Sequence, residues 1–374
     1  MKRCLSILAG TLFLTVTASG ADLLLVLVDE TLRVPLAPQL SEWTARITAE
    51  ARYQVVVESA PRAGAESNRL AALAAMRRRI EALQPAAVQL VGRLPWGISG
   101  WENPDGHEYR ASQTDAHFMA KDFVGTDVRN WGSTGLRPNM AGDGRWDEFE
   151  IATWGRPVGR IDLGGLSGSM ESVPAYQHQY GCLKGRPYCE TVAEIPAMQA
   201  YFRRNLDYRT GRSRWTTNAA MAGPLWTLQQ SQPEWSISRM PQYQWTRSTQ
   251  LAPAAGRKVF LLWHSAANSE LPELYDANCQ NVQPFWSNTY RSYGMEMDAC
   301  GTMRRWLLVS LVSTWGSRWW VVGPSARTVG DAITGTYVTQ GRWSLLYHLM
   351  GDVSLPLHVA PGPGVPTNFR KTSL

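Results

Sequence analysis

Three apolar segments near the start of the chain alternate with two amphipathic ones. LLLVLV (23–28) is a continuous apolar run of the kind that a parallel sheet buries on both faces, and YQVVVES (53–59) and AVQLVG (87–92) predict two more strands. The segments between them carry apolar residues at helical spacing: Leu36, Leu40, Trp43 and Ile47, then Leu70, Leu73, Met76, Ile80 and Leu83. This β-α-β-α-β order predicts an α/β fold, a three-layer sandwich with a mostly parallel sheet.

The regular pattern stops between residues 94 and 157, a stretch rich in Gly, Asn, Asp and Trp. It is too long for a simple connection, so we expect a functional or ion-stabilised insertion. Residues 209–256 show no regular pattern either. The other predicted elements are a strand at 158–163, a helix around 198–206, strands at 259–263 and 294–298, a helix at 302–313, a strand at 318–323 and a helix near 328–333.

The first 21 residues, MKRCLSILAGTLFLTVTASGA, have a short basic start, an apolar stretch and small residues at the end. This pattern predicts a secretory signal peptide that is cleaved after Ala21. No later apolar run reaches the roughly 18 residues that a membrane span requires. We therefore expect an exported protein, periplasmic, cell-surface or extracellular, with one domain at 22–358 and a linker-like tail at 359–374.

Composition narrows the class of protein. A hydrophobic content of 44% and a charged content of 18% fit an ordinary globular core. The formal charge of +6 falls to +4 once Lys2 and Arg3 leave with the signal peptide, and the remaining basic residues are scattered, which argues against a nucleic-acid-binding surface. The 17 tryptophans fit either a tightly packed core or an exposed binding groove.

Four cysteines remain after cleavage, and four cysteines in an oxidising compartment allow three full pairings. Cys182 and Cys189, in YGCLKGRPYC, have Gly and Pro between them and predict a local loop disulfide. Cys279 and Cys300 are then either bonded to each other or free.

Two residues with catalytic chemistry follow predicted strands. His264 follows VFLLW, and Cys300 follows MEMD in GMEMDACG. Catalytic groups gather at the carboxyl ends of parallel strands, a nearby imidazole favours the thiolate, and Gly301 leaves its backbone N–H open toward an oxyanion. Two alternatives stand beside this hypothesis: His264 as a hydrogen-bonded polar residue, and Cys300 in a disulfide with Cys279.

The segment NMAGDGRWDEFE (139–150) has oxygen-bearing residues at calcium-ligand spacing around a glycine turn. The candidate ligands of a structural calcium ion are Asn139, Asp143, Asp147 and Glu150. A solvated turn without an ion is the alternative, because Ala141 departs from the pattern and no flanking helices are obvious.

A second polar segment, ENPDGHEYRASQTDAHF, mixes histidines and carboxylates: Asp105, His107, Asp115 and His117. Their spacing matches no compact transition-metal signature, so we expect a hydrogen-bonded loop. The chain contains no G-x-S-x-G motif, and the glycines of GRIDLGG do not have the spacing of a dinucleotide-binding turn.

Several segments in order resemble the gingipain-like cysteine peptidases: VQLVGRLPW, TDAHF, AGDGRWDEFEI, VGRIDL, RRNLDYRTG and LMGDVSLPLH. The resemblance implies a caspase-like α/β sandwich, often calcium-stabilised, with a His-Cys dyad on adjacent strand ends. His264 matches the position of the family histidine, and Cys300, after Ala299, matches the nucleophile. Two departures are Ser265, where the family has glycine, and an alternative alignment that places Ser292 at the nucleophile position.

The resemblance implies a secreted cysteine endopeptidase in which Cys300 attacks the peptide carbonyl of a protein or peptide substrate. His264 transfers the proton, and backbone N–H groups near Ser265 and Gly301 hold the oxyanion. The alternative is a catalytically inactive member of the same fold that acts as an exported binding or surface protein. Tryptophans that could stack on glycans in that case are Trp96, Trp101, Trp131 and Trp154.

Overall fold

The structure of the protein is a computed structural model. It describes residues 21–63, 66–95, 97–99, 113–119, 145–146, 155–163, 194–213, 218–222, 244–248, 261–265, 286–290, 309–313, 327–331, 333–334 and 347–357.

Strands and helices alternate along these residues. The strands are β1 (Asp22–Asp29), β2 (Tyr53–Ala60), β3 (Ala87–Val91), β4 (Gly97–Ser99), β5 (Gln113–Thr114), β6 (Arg145–Trp146), β7 (Val158–Ile161), β8 (Asn218–Ala222), β9 (Gln244–Ser248), β10 (Leu261–Ser265), β11 (Trp286–Tyr290), β12 (Val309–Ser313) and β13 (Tyr347–Gly351). The helices are α1 (Glu30–Arg33), α2 (Ala37–Ala49), α3 (Glu66–Leu83), α4 (Ala116–Met119) and α5 (Glu194–Arg209).

Ten of the strands form one sheet with the order β2-β1-β3-β7-β13-β12-β11-β10-β8-β9. Every neighbouring pair is parallel except β12 and β13, which are antiparallel. The sheet therefore has two internally parallel parts, which we call the β1 half (β2, β1, β3, β7, β13) and the β10 half (β12, β11, β10, β8, β9). Because the two halves run in opposite directions, the carboxyl ends of their strands lie at opposite edges of the sheet. The predicted α/β fold with a mostly parallel sheet is confirmed.

Helices cover both faces of the β1 half. The chain passes from β1 to β2 on one side and from β2 to β3 on the other, so right-handed crossovers place α2 and α3 on opposite faces. In agreement, α2 packs against α5, and α3 packs against α4. The Trp43 ring of α2 lies 5.3 Å, centroid to centroid, from the Phe202 ring of α5. This arrangement gives three layers.

The core of the β1 half follows from the apolar patterning. Six consecutive residues of β1, from Leu24 to Asp29, are buried. In α2, Leu40, Trp43 and Ile47 recur at helical spacing and are buried, while a proline in the first turn fits the position where a helix needs no backbone donor.

A short additional sheet, with the order β5-β4-β6, lies within the predicted insertion. Regular pairing was not expected between residues 94 and 157. The division into one domain and a tail stays a prediction, and the signal-peptide residues 1–20 and the tail lie outside the described residues.

Two predictions for the carboxy-terminal part of the chain need correction. The predicted helix at 302–313 is wrong over its last five residues, because 309–313 is strand β12, paired on both sides. VSLVS is rich in β-branched and small residues, and the sheet position overrides the helix-like apolar spacing around it. Residues 209–256, for which no element was predicted, contain the parallel strands β8 and β9. The predicted strands at 294–298 and 318–323 lie outside the described residues.

Among the residues that the structure describes, no helix combines the length and the apolar composition that crossing a membrane requires.

Candidate functional site

A buried ion pair fixes the segment TDAHF beneath the sheet. The Arg160 side chain on β7 is fully buried, and its Nη2 and Nε atoms donate to the two carboxylate oxygens of Asp115 at 2.6 and 3.2 Å. Nη1 and Nη2 of the same guanidinium donate to the carbonyl oxygens of Leu94 and Pro95 at 2.8 and 3.1 Å. Both charges are thus satisfied within the fold, as buried charges require. The expected hydrogen-bonded loop is present at Asp115, whereas Asp105 and His107 lie outside the described residues.

The neighbouring histidine belongs to the same buried structure. His117 in α4 is buried, and its backbone carbonyl accepts a hydrogen bond of 2.9 Å from Nη1 of Arg77. Burial lowers the pKa of His117 to about 4, and the positive charges of Arg69 and Arg77 act in the same direction. The imidazole is therefore neutral at neutral pH.

A larger buried network surrounds Asp352, the residue after β13. Oδ2 of Asp352 accepts from Nε1 of Trp43 at 2.9 Å, Nδ2 of Asn205 at 2.8 Å and Nη2 of Arg209 at 2.7 Å. Oδ1 accepts from the backbone N–H and the hydroxyl of Ser354 at 2.8 and 2.6 Å. Burial raises the pKa of Asp352, but the Arg209 charge and these hydrogen bonds outweigh it and leave the pKa below its ordinary value.

This network has a structural role. It joins α2, α5 and the segment after β13, and the side chains of Asp352 and Arg209 are both completely buried. Arg209 also forms an ion pair with Glu50 at the end of α2. Because every oxygen of Asp352 is occupied by protein donors, the carboxylate is not available to a ligand.

A third polar group lies at the carboxyl edge of the β1 half, and we call it the edge cluster (Asp29, Arg62, Asp162 and Glu194). Asp29 ends β1, Arg62 follows β2, Asp162 follows β7 and Glu194 begins α5. In the strand order β2-β1-β3 the chain changes direction between β1 and β3. Open α/β sheets bind ligands at such a switch point, outside the carboxyl ends of the strands.

Arg62 bridges two carboxylates of the edge cluster. Its Nη1 donates to Oδ2 of Asp29 at 2.6 Å, and its Nη2 donates to Oε2 of Glu194 at 2.7 Å. Asp29 is fully buried, whereas 27% of the Arg62 side chain and 16% of the Glu194 side chain are exposed. A buried anion therefore holds a guanidinium that reaches the surface.

Two backbone N–H groups and a hydroxyl also hold the Asp29 carboxylate in place. The N–H and hydroxyl of Thr31 donate to Oδ1 at 2.9 and 2.8 Å, so Asp29 caps the start of α1. The N–H of Arg93 donates to Oδ2 at 3.2 Å. Gly92 makes this approach possible: its φ is +85°, and a Cβ there would lie 2.6 Å from Cβ of Asp29.

The pKa of Glu194 in the edge cluster is raised above its ordinary value. Burial raises the pKa of Glu194, the hydrogen bond and charge of Arg62 lower it, and the negative charges of Asp162 and Asp29 raise it, with a net shift upward. Arg62 thus lies between two carboxylates, and Asp162 adds negative charge near Glu194. Over the described part of the chain, no group of three His, Cys, Asp or Glu side chains is arranged to hold a metal ion.

The predicted catalytic residues are described only in part. His264 and Ser265 are the last two residues of β10, which is parallel to both β8 and β11. His264 thus lies inside β10, one residue before its carboxyl end and at the edge of the sheet opposite to the edge cluster, and its catalytic role stays a prediction. Cys300 and Gly301 lie outside the described residues, as do the alternatives Cys279 and Ser292.

The other predicted site residues also lie outside the described part of the chain, so those predictions stand untested. They are the calcium ligands Asn139, Asp143, Asp147 and Glu150, the disulfide cysteines Cys182 and Cys189, and the tryptophans Trp96, Trp101, Trp131 and Trp154.

The residues of the edge cluster are not among the predicted site residues. One signal was available: Asp29 directly ends the apolar run LLLVLV, and a charged residue at the carboxyl end of a buried parallel strand needs a partner. Nothing in the sequence indicates that the partners come from positions 62 and 194, because the fold alone brings them together.

Comparisons with known proteins give few matches. No protein-family model and no curated protein matches the chain. One similar solved structure is a carbohydrate-transporter solute-binding protein of Agrobacterium radiobacter in complex with D-arabinose, at 10% identity over 79% of this chain and 84% of that one, with a TM-score of 0.20. Others are LsrB of Clostridium saccharobutylicum in complex with AI-2 (10% identity, 84% and 80%, TM-score 0.19) and GanP, a glucose-galactose binding protein of Geobacillus stearothermophilus (10% identity, 78% and 85%, TM-score 0.18).

These matches overturn the expectation of a gingipain-like cysteine peptidase, since the proteins they name are solute-binding proteins and not peptidases. The assignments as a hydrolase and as a cysteine endopeptidase that acts on protein or peptide substrates are therefore wrong. TM-scores of 0.18 to 0.20 are too low to transfer a ligand from those proteins to this chain.

The motifs behind the resemblance have a structural role. Asp115 of TDAHF pairs with Arg160 of VGRIDL, and Asp352 of LMGDVSLPLH pairs with Arg209 of RRNLDYRTG. The charged residues in these motifs hold layers of the fold together. Motifs of this kind are explained by the packing of the fold. They do not indicate a catalytic nucleophile.

Proposed function

We propose that the protein is an exported, non-catalytic binding protein that takes a small polar solute at the edge cluster. The observation that carries this proposal is the Arg62 guanidinium, held between Asp29 and Glu194 at the switch point of the sheet and 27% exposed. A charged group in a fixed orientation at that place is suited to hydrogen-bond a ligand.

Contacts within the edge cluster hold Arg62 in one orientation, which lowers the cost of binding. Arg62 has already lost its rotamer freedom to the 2.6 Å and 2.7 Å contacts with Asp29 and Glu194. A solute that meets a preformed set of polar groups does not have to provide the free energy for ordering them. The rigid positions of Asp29 at a strand end and Glu194 at a helix start serve the same purpose.

The charge of the edge cluster selects among solutes. Arg62 is held between two carboxylates, Asp29 and Glu194, so the local field of these three groups disfavours an anion and accepts a neutral or cationic molecule. A neutral solute with several hydroxyl groups can accept from Arg62 and donate to Glu194 at the same time.

Export rests on the amino-terminal sequence. The basic start, apolar stretch and small residues of positions 1–21 have the pattern of a cleaved secretory signal. The experiment is amino-terminal sequencing of the protein recovered from outside the cytoplasm. A mature chain that begins near Asp22 supports export, and full-length protein confined to the cytoplasm contradicts it.

Calorimetric titration tests the binding proposal. The probes are a neutral aldohexose, a neutral aldopentose, a diamine and a dicarboxylate, and we expect at least one neutral or cationic probe to bind one to one and to be recovered unchanged. Arg62→Met and Glu194→Gln should each weaken that binding by about 10-fold or more, as loss of a charge-assisted hydrogen bond does.

A matched control lies at the other end of the same helix. Arg212 pairs with Asp207 at 3.1 Å, and 64% of the Arg212 side chain is exposed. Arg212→Met removes a guanidinium from the surface but not from the switch point, so it should leave affinity unchanged. The proposal fails if no probe binds, if only the dicarboxylate binds, or if Arg62→Met and Arg212→Met behave alike.

A further inference from the structure

The outermost strand of the β1 half, β2, offers a sheet edge that can accept a further strand. It is the first strand in the sheet order, and among the described residues it has a neighbour on one side only, β1. Proteins usually protect such an edge with a very short strand, a lysine, a proline or a bulge. β2, with the sequence YQVVVESA, has none of these: it is eight residues long, and its pairing with β1 runs without interruption from Tyr53 to Ala60.

The hydrogen bonds between β1 and β2 determine which backbone groups of β2 face outward. The N–H of Asp22 donates to the carbonyl oxygen of Arg52 at 3.1 Å. Because alternate residues of a strand bond to the same neighbour, the even-numbered residues of β2 bond to β1. The groups that point away from β1 are the N–H and C=O of the odd-numbered residues Tyr53, Val55, Val57 and Ser59. These are the donors and acceptors that an added strand would use.

Apolar side chains accompany these backbone groups. Val55, Val56 and Val57 are half-buried, and each packs against the hydrophobic core while keeping part of its surface exposed. Successive side chains of a strand point to opposite faces of the sheet, so this apolar surface lies on both sides of the outward backbone groups. A strand added at the edge would remove it from water.

The edge carries opposite charges at its two ends. Arg52 precedes the strand and is 29% exposed, and Glu58 lies near the other end and is 27% exposed. Arg52 donates through Nη2 to Asp331, and Glu58 accepts from Nε and Nη2 of Arg79. A guanidinium has five N–H donors and a carboxylate has about four lone pairs, so both groups can take another partner.

An edge of this kind is complementary to itself. Arg52 and Glu58 are equally far from Val55 along the strand. A two-fold axis through Val55 sets a second β2 antiparallel to the first, with Val55 facing its own copy and Arg52 facing Glu58 of the second copy. The same register pairs Tyr53 with Val57, so the outward backbone groups of one strand meet those of the other.

We propose that β2 is a homodimer interface, at which a second copy of this chain pairs antiparallel in the register centred on Val55. The occupant is a second copy because the charges and the outward backbone groups both match when the strand meets itself. The proposal uses no residue of the edge cluster, so it does not depend on the solute site proposed above.

Sedimentation velocity of the purified protein, from micromolar to submillimolar concentration, tests the proposal. We expect a reversible equilibrium between monomer and dimer. Val55→Lys places two like charges opposite each other across the axis and should weaken the dimer by about 10-fold or more. Val34→Lys is the matched control, because Val34 follows α1 and is 81% exposed, and it should leave the dimer constant within about twofold.

A charge exchange tests the register. Arg52→Glu alone makes the facing groups of a homodimer acidic, and Glu58→Arg alone makes them basic, so each variant should dimerise about 10-fold more weakly or worse. A mixture of the two variants brings opposite charges together at both ends of the interface and should restore the dimer. Circular dichroism melting checks that each variant is folded, because each substitution also meets a partner in its own chain, Asp331 or Arg79.

Three results would overturn the proposal. The first is a protein that stays monomeric at every concentration, which would leave the edge to a strand from the same chain or from a different protein. The second is a dimer that Val55→Lys weakens no more than Val34→Lys does. The third is a mixture of the two folded charge variants that remains monomeric.

Discussion

In the β1 half, strand β1 is a continuous apolar run that ends on a carboxylate, whereas in the β10 half polar residues lie within strand β11. β1 is buried from Leu24 to Asp29, and its carboxylate is taken up by Thr31, Arg62 and Arg93. β11, which is paired on both sides in the other half, reads WSNTY. The two halves belong to one hydrogen-bonded sheet, but these two strands differ in their content of polar residues.

Most charged residues of the β1 half stabilise the fold, and few remain exposed to a ligand. In the β1 half, two buried ion pairs, Arg160 with Asp115 and Arg209 with Asp352, connect the sheet to the layers on either side of it. Those charges are paired inside the protein and are not available to a ligand. A group that can serve a ligand remains at the carboxyl edge of the β1 half, where 27% of the Arg62 side chain is exposed.

The largest expected effect comes from removing the carboxylate of Asp352. Asp352→Ala leaves the guanidinium of Arg209 buried with Glu50 as its remaining ionic partner among the described residues, and it removes the acceptor of Trp43 and Asn205. Breaking a buried pair in this way costs about 3–5 kcal/mol. Urea unfolding followed by tryptophan fluorescence measures the change in the free energy of unfolding.

The control for Asp352→Ala is an exposed carboxylate on α5. Asp207→Asn removes the surface pair with Arg212 and should cost less than ~1 kcal/mol. A cost for Asp352→Ala that is no greater than that of Asp207→Asn would mean that the buried network is not what holds the β1 half together.

Gly159 gives the next largest effect. It lies on β7 beneath the segment that folds back after β13, and a Cβ there would approach the carbonyl oxygen of Gly351 at 2.7 Å and Cβ of Val353 at 2.9 Å. Gly159→Ala should therefore destabilise the protein by about 1–3 kcal/mol, as overpacking does. Gly330→Ala, whose nearest contacts are 3.0 to 3.3 Å, should cost less, and the reverse order in thermal melts would contradict this packing.

Much of the β1 half could be predicted from the sequence because its signals are local. The apolar run of β1 and the helical spacing of Leu40, Trp43 and Ile47 act over a few residues, and the structure confirms both. The edge cluster could not be predicted, since Asp29 and Arg62 are 33 residues apart and Arg62 and Glu194 are 132 residues apart. Residues so far apart in the sequence come into contact only when the chain has folded.

The β10 half was harder to predict for a different reason. The residues of β8, NAAMA, are small and carry no strand preference, and no element was predicted there. The residues of β12, VSLVS, fit the spacing of an amphipathic helix that continues from the preceding apolar positions. In both strands the neighbours in the sheet decide the conformation, which a pattern within one segment does not reveal.

The smallest effects are opposite pH dependences of two carboxylates. The pKa of Glu194 is raised in the folded protein, so its contribution to stability is present below pH 4.5 and is lost as pH rises through the raised value. The pKa of Asp352 is lowered, so its contribution is present above pH 3.8 and is lost as pH falls through the lowered value. We expect urea unfolding measured from pH 2 to 7 to show that Glu194→Gln removes the fall in stability with rising pH and that Asp352→Asn removes the rise at the acid end. Slopes of the same sign would contradict the assignment.

Amide chemical shifts with and without a bound solute test the central claim most directly. The N–H groups of Thr31 and Arg93 donate to Asp29 in the edge cluster, and the N–H of Ser354 donates to Asp352 in the buried network. A saturating neutral or cationic solute should shift the first two signals and leave that of Ser354 in place. Shifts at Ser354 alone, or none at Thr31 and Arg93 while the solute is bound, would contradict a binding site at the edge cluster.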